Sequence, residues 1–273
     1  MEQIKYPKLK EIKQTMLKMV HKANVSHIGA GLSIVDILYV LYFKVANISK
    51  NNINDPNRDV VILSKGHSSV SLYSVLYHKG LLEESMIDNY SIDNGTLPCH
   101  IDKEKSPFFE LSTGSLGHGL SVGVGMALAK KMNNNSGHVY VICGDGECNE
   151  GSVWEAIMYA STQKIDNLTL IIDFNNFQAF GSTNKVINQS NLEERLIAFG
   201  FDTHIINGHN FESIDQALRY RSSLKFQKKP VAIFANTVKG KGVSFMENTL
   251  EWHYKSPNNE QLKIALQEIE EKY

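Results

Sequence analysis

The sequence predicts an α/β domain built on a mostly parallel β-sheet, flanked by α-helices on both faces. Two observations predict it. Five short apolar runs, at 60–63, 139–143, 168–173, 203–206 and 231–235, alternate with helix-like segments. Parallel neighbours need long, usually helical crossovers, and strands buried on both faces read as continuous apolar runs. No linker, charge block, low-complexity tract or internal repeat divides the chain. Residues 1–273 therefore read as one domain, with 240–273 as a C-terminal extension.

Taken in order, residues 11–24 place Ile12, Met16, Met19, Val20 and Ala23 on one helical face. The segment Ser26-His27-Ile28-Gly29-Ala30-Gly31 interrupts that pattern, as backbone does when it passes close to a ligand or another backbone. A second helix is expected to start near Ser33, with Asp36 as a capping-box partner, and to run through Ile37, Leu38, Leu41 and Tyr42. Residues 47–58 are rich in Asn, Asp and Pro and read as a loop. The run Val60-Val61-Ile62-Leu63 leads into Ser64-Lys65-Gly66-His67 and a helix of about 69–79 that closes at Gly80. A short helix near 83–90 precedes an irregular segment, 91–115. The segment Thr113–Gly119 opens a small-residue helix ending near Met132, and 133–137 is a turn. Beyond the central strands, 177–191 read as a polar loop. Helix 192–199, strand 203–206, helix 211–225, strand 231–235 and a final helix, 258–271, complete the chain.

Bulk properties narrow the partners. The 273 residues are 42% hydrophobic, enough for a substantial core, and carry 28 basic against 29 acidic side chains. That balance gives no electrostatic reason to expect nucleic acid or an anionic membrane. Cys99, Cys143 and Cys148 are odd in number and irregularly spaced, which fits a reducing compartment, and they lack zinc-ligand spacing. The N-terminal Met1-Glu2-Gln3-Ile4-Lys5 lacks the apolar core of a signal peptide. No run approaches the roughly 18 apolar residues of a membrane span. The expectation is a soluble, cytoplasmic protein.

The chemistry concentrates in Val139–Gly181. Gly144-Asp145-Gly146 follows one apolar strand, and Asn175-Asn176 follows the next, about 30 residues later. That spacing is one βαβ unit, so Asp145 and Asn175 fall on the same edge of a parallel sheet, where ligands bind. A carboxylate and an amide oxygen there suit a divalent cation that takes its remaining ligands from phosphates and water.

The run Gly144-Asp145-Gly146, 28 residues, then Asn175-Asn176 resembles the thiamine diphosphate motif. Its surroundings resemble the transketolase family in particular: Ser26-His27-Ile28-Gly29-Ala30, Ser64-Lys65-Gly66-His67, Leu97-Pro98-Cys99-His100, Thr113–Gly119 and Gly144–Gly151, in the family order. The resemblance implies the thiamine diphosphate-binding fold, with thiamine diphosphate and Mg²⁺ (or Ca²⁺) as cofactors. By it, Asp145, Asn175 and the carbonyl of Phe177 ligate the metal. Gly114, Leu116, Gly144, Gly146, Glu150, Asn175, His67 and His253 contact or orient the cofactor. His27, His67, His100 and His253 surround the thiazolium and donor sugar, as residues whose pKa lies near working pH. His253 lacks the glycine that often follows it in the family, and Cys99 stands where a glycine usually precedes His100.

The activity implied is transfer of a two-carbon ketol unit from a ketose to an aldose. The family's pyrimidine-binding domain, with its activating glutamate, does not follow in this sequence. The chain therefore resembles the N-terminal subunit of a split transketolase, partnered in a heterotetramer by a separate C-terminal subunit. Its substrates are expected to be sugars or sugar phosphates. Alternatives are a transketolase-like enzyme of branched or nucleotide-linked sugar synthesis and a 2-oxo acid dehydrogenase alpha subunit; the His27, His67 and His100 set favours a sugar. A nicotinamide dehydrogenase is disfavoured by glycine order at 114–119, and a non-catalytic cofactor-binding subunit by retention of the whole set.

Overall fold

The structure is a computed structural model and describes residues 6–220 and 228–273. Its centre is a five-stranded sheet: β1 (Val60–Leu63), β2 (Val139–Gly144), β3 (Leu168–Phe174), then β6 (Asp202–Asn207) and β7 (Val231–Asn236). The spatial order is β1-β2-β3-β7-β6, and every pairing is parallel. Two short strands, β4 (Phe177–Gln178) and β5 (Gly181–Ser182), form a separate antiparallel hairpin.

Alternation along the strands divides the core into two layers. Val61, Leu63, Tyr140, Ile142, Ile171 and Ile233 join one cluster with side chains of α1 (Leu9–Ala23), α2 (Ile28–Val40) and α3 (Ser69–His78). Across the sheet, Ile62, Val141, Leu170, Ile172 and Phe234 join α5 (His118–Met132), α6 (Gly151–Thr162) and α8 (Leu192–Ala198). The short helices α4 (Glu84–Asp88) and α7 (Thr183–Val186) lie in the connections, and α9 (Phe211–Tyr220) and α10 (Asn259–Lys272) close the first layer. The expected strands and crossovers are all present, with ends shifted by a few residues. Residues 221–225 of the expected helix 211–225 lie outside the described residues.

Three expectations change. Helix α2 starts at Ile28, not near Ser33, so Gly29, Ala30 and Gly31 form its first turn. Ser33 is no cap: its hydroxyl donates to Asp173 at 2.6 Å, and Asp36 pairs with the buried Lys13. Second, α2 continues through a π-helical turn, Leu41–Val45, giving 18 residues apolar and long enough to cross a membrane by length and composition. That stretch is 83% buried inside the molecule, as the central helix of the first core layer. Third, 177–191 is not a plain loop but carries β4, β5 and α7, with Thr183 N donating to Asn176 O at 2.9 Å.

Helix α5 sits close against the sheet at its start and is open further along. A Cβ at Gly119 would lie 2.9 Å from Ser64 Cα, whereas one at Gly125 meets nothing within 4 Å. Gly119→Ala is expected to destabilise the chain by about 1–3 kcal/mol through overpacking. Gly125→Ala is expected to stabilise it by up to about 1 kcal/mol through helix propensity. Urea denaturation midpoints of the two variants check both signs.

Candidate active site

The site forms where the strands end. Lys65 follows β1 and Asp173 lies in β3; both are buried, and they form an ion pair. Asp173 also accepts hydrogen bonds from Ser33 of α2, from Asn175 Nδ2 at 3.2 Å and from Thr237 Oγ1 after β7. The Lys65 ammonium and these donors overcome the burial that would raise its pKa, so the Asp173 carboxyl stays below its ordinary range.

Asp145 ends β2 in a different environment. Its carboxylate accepts from Gly146 N, Asn176 N and Thr183 Oγ1, each at 2.8 Å. It has no cation within ion-pair distance among the described residues. Burial dominates, and its pKa is raised to about 6. Asn175 Oδ1 accepts from Phe177 N at 3.1 Å while its amide nitrogen is spent on Ser33 and Asp173. That fixes the amide with its oxygen on the Phe177 side. Asp145, Asn175 and Phe177 line one cavity of about 450 Å³.

Glu147 is buried behind them. It accepts from Ser64 Oγ, from Gly117 N at 2.9 Å and from Gly144 N at 3.1 Å, which ties the ends of β1 and β2 to the start of α5. Gly117 has φ +87°, and a Cβ there would lie 2.6 Å from Glu150 Cβ, so this turn requires glycine. Gly114, Leu116, Gly144, Gly146 and Glu150 all line the same cavity.

The four expected histidines converge from four separate segments. The His27 ring centroid lies 5.3 Å from that of His67, 6.0 Å from His100 and 4.9 Å from His253, and all four line the cavity. His27 takes a left-handed conformation, φ 75°, at the start of α2, and its backbone N–H donates to His253 O at 3.2 Å. Burial, then the neighbouring His100 and Lys239, lowers the His27 pKa to about 4. Burial, then Lys239, lowers His253 to about 3. His67 is driven well below its ordinary value by burial and Lys65. These three rings are neutral at pH 7.

Lys239, Lys65, Glu147 and Gln178 were not singled out by the sequence reading. Lys239 follows β7, is buried, and donates from Nζ to His253 Nδ1 at 2.8 Å, so His253 carries its proton on Nε2. Burial and the nearby Lys65 lower the Lys239 pKa to about 8. Gln178 Oε1 accepts from Asn149 Nδ2 at 3.1 Å, which leaves Gln178 Nε2 buried without a partner in the cavity wall. The signal available for Lys239 was its place just beyond the last apolar strand, at Lys239-Gly240-Lys241-Gly242.

The donor inventory fits a metal-bound diphosphate. By bond count, Asp145 Oδ1 and Asn175 Oδ1 each keep one acceptor site after their hydrogen bonds, and hard divalent cations take such oxygens. Lys239 brings a cation to the same cavity, and Gln178 and His27, which also line it, each keep a buried side-chain nitrogen without a partner. Among the described residues, no cluster of three or more His, Cys, Asp and Glu side chains could hold a metal. The Asp145 set contains only one such residue; its other members are an amide and a carbonyl.

Residues 5–269 match the transketolase thiamine diphosphate-binding domain. The chain belongs to the transketolase family. It is 40% identical over 245 residues to one of the subunits of an apulose-4-phosphate transketolase from Actinobacillus succinogenes, covering 90% of this chain and 88% of the relative. A 6-deoxy-6-sulfo-D-fructose transketolase subunit of a Clostridium species is 38% identical over 259 residues, covering 95% of this chain and 94% of that one. Human transketolase is 33% identical over 90% of this chain, which spans 39% of the human protein. The crystal structure of Campylobacter jejuni transketolase superposes with a TM-score of 0.90 at 32% identity, covering 99% of this chain and 43% of that one. This transketolase-family chain thus matches subunits of split enzymes almost end to end, and under half of single-chain transketolases. It is a transferase subunit of the transketolase type.

The raised Asp145 pKa has a sign that can be tested. Between pH about 4 and 6 folded Asp145 keeps a proton that it has lost in the unfolded chain, so its own contribution to stability falls as pH rises through the folded pKa, whereas His27, His67 and His253, with lowered pKa values, contribute in the opposite sense. The Asp145 contribution is therefore read as a difference: from pH 4 to pH 6 the ligand-free wild type is expected to lose stability relative to Asp145→Asn by an amount on the order of 2 kcal/mol. Urea denaturation of both chains across the range checks it.

Proposed function

We propose that this chain is the diphosphate-holding half of a thiamine diphosphate-dependent transketolase that moves a two-carbon ketol unit from a ketose donor to an aldose acceptor. The observation that carries it is Asp145: a buried carboxylate served only by neutral donors, beside an oriented amide oxygen, in a cavity ringed by four histidines. Asp145, Asn175 and the Phe177 carbonyl would hold Mg²⁺, or Ca²⁺ in its place. Lys239, Gln178 and the backbone at Gly144–Gly146 would face the diphosphate, and Gly114 and Leu116 the cofactor's ring end. When bound, thiamine diphosphate supplies a thiazolium carbon that stores the electron pair released on carbon–carbon cleavage.

The residues of this chain bind, orient and move protons. Neutral His27 and His67 are ready to accept a proton from a sugar hydroxyl, which a charged ring could not do. The Lys239–His253 bond leaves Nε2–H of that ring as donor. His100 lies at the Gly114 side, where a Cβ on Gly114 would be 3.6 Å from its ring, and would meet the donor's hydroxyl end. The buried walls would exclude water from the reacting centre once a second chain covers the mouth.

The proposal includes a second polypeptide that carries the pyrimidine-binding domain and its activating glutamate, assembled with this chain as a heterotetramer in the cytoplasm. Two relatives are subunits of transketolases, and Phe180, 85% exposed, stands with Val186 at the cavity rim. An exposed aromatic at the mouth of a half-site fits cover by another chain. A second reading, transfer to or from a modified sugar, is favoured by the apulose phosphate and sulfo-sugar named for those relatives.

Calorimetric titration with thiamine diphosphate tests the cofactor reading. Binding is expected only with Mg²⁺ or Ca²⁺ present, weakened at least about tenfold in Asp145→Ala. Binding that is indifferent to both the metal and Asp145 would remove the assignment.

A further inference from the structure

Behind the cavity, outside the residues assigned above, lies a chain of polar contacts that ends beside Lys239. Val238 N–H donates to His209 Nε2 at 2.8 Å. His209 Nδ1 lies 2.8 Å from Asp36 Oδ2, and Asp36 Oδ1 pairs with Lys13 Nζ at 2.8 Å. Lys13 also donates to Tyr273 OH at 2.8 Å. Lys13 and Asp36 are buried, and the His209 side chain is 12% exposed.

The chemistry of these contacts fixes the ring. A ring nitrogen that accepts a peptide N–H has no proton of its own, so His209 carries its proton on Nδ1 and gives it to Asp36. Asp36 cannot drift, because Lys13 holds its second oxygen from α1. The ring is therefore held in one orientation by α1 and α2, and its free lone pair faces a single peptide N–H. That N–H belongs to Val238, the residue directly before Lys239. The rest of the turn is held by Thr237 N to Phe174 O at 3.1 Å, Thr237 Oγ1 to Asp173, Lys241 N to Val238 O at 3.2 Å, Gly240 N to Gly29 O at 2.9 Å and Asn248 N to Lys239 O at 2.9 Å, and none of these fixes the Val238 N–H. Lys239 has four rotatable side-chain bonds, so where its ammonium points depends on where its backbone is pinned.

We propose that His209 is a positioning residue for Lys239: anchored by Asp36 and Lys13, it fixes the Thr237–Gly240 turn so that the Lys239 ammonium stays on His253 and faces the anion-holding end of the cavity. The inference rests on the reading of that cavity as a diphosphate site. His209 itself touches neither cavity nor ligand.

A double-mutant cycle on the full chain tests it, with thiamine diphosphate and Mg²⁺ as the titrated probe in calorimetry. His209→Ala is expected to weaken binding about tenfold, the scale of an orienting partner one step removed. Lys239→Met is expected to weaken it at least as much. In the Lys239→Met background, His209→Ala should add less than about twofold, because the group it positions is gone. His209→Gln keeps an acceptor for Val238 and a donor for Asp36, and should recover most of the affinity. Equal losses from His209→Ala in both backgrounds would mean general loosening and overturn the proposal. Loss of the folded circular-dichroism signal in His209→Ala moves the cycle to His209→Asn, which is too short to reach Val238. Binding by wild type that falls in Lys239→Met but not in either His209 variant overturns the inference alone. Should the chain bind only when co-expressed with the product of the adjacent open reading frame, the cycle is run on that pair; a wild-type chain that binds no thiamine diphosphate with Mg²⁺ in either form overturns the cavity reading and the inference together.

Discussion

The buried Lys65–Asp173 ion pair is the constraint on which the site depends. Asp173 gathers Lys65 from the end of β1, Ser33 from α2, Asn175 from the β3–β4 turn and Thr237 from beyond β7. Each is a separate segment of sequence, and one carboxylate holds them together. Removing one partner of such a pair costs about 3–5 kcal/mol, because the other charge is left buried. The pair also divides the labour between two aspartates. Asp173 has its cation and sits below its ordinary pKa; Asp145, buried nearby with only neutral donors, is raised to about 6. The fold satisfies one carboxylate internally and leaves the other to a ligand.

Asn175 links the two. Its nitrogen donates to Asp173 and Ser33, so its oxygen is directed to the Phe177 side, in the cavity that Asp145 also lines. A structural contact thereby sets which atom is offered to a cation. The same economy appears at Lys65 and Lys239, whose charges add to burial in lowering the pKa of His27, His67 and His253. Stability is sacrificed at Asp145 and at the unpartnered Gln178 and His27 nitrogens, all in residues that line the cavity.

Much of this was legible in the sequence, for physical reasons. Doubly buried strands write themselves as apolar runs, so all five appeared with their alternating helices. Asp145 and Asn175 were legible because one βαβ unit fixes their spacing. The start of α2 was not, because Gly29 and Gly31 are poor helix formers and tertiary packing overrides their propensity. Lys65, Lys239 and Glu147 were missed as site residues because a lysine or glutamate beside a strand end is ordinarily solvated. Only the fold reveals that these are buried, and with which partners.

The central claim is that this chain holds the cofactor's diphosphate end and another chain must complete the reaction. The most direct measurement is ketol transfer from a panel of ketose donors, by the purified chain alone and after co-expression with the product of the adjacent open reading frame, both with thiamine diphosphate and Mg²⁺. The account predicts activity only for the co-expressed pair. Turnover by the chain alone would contradict it.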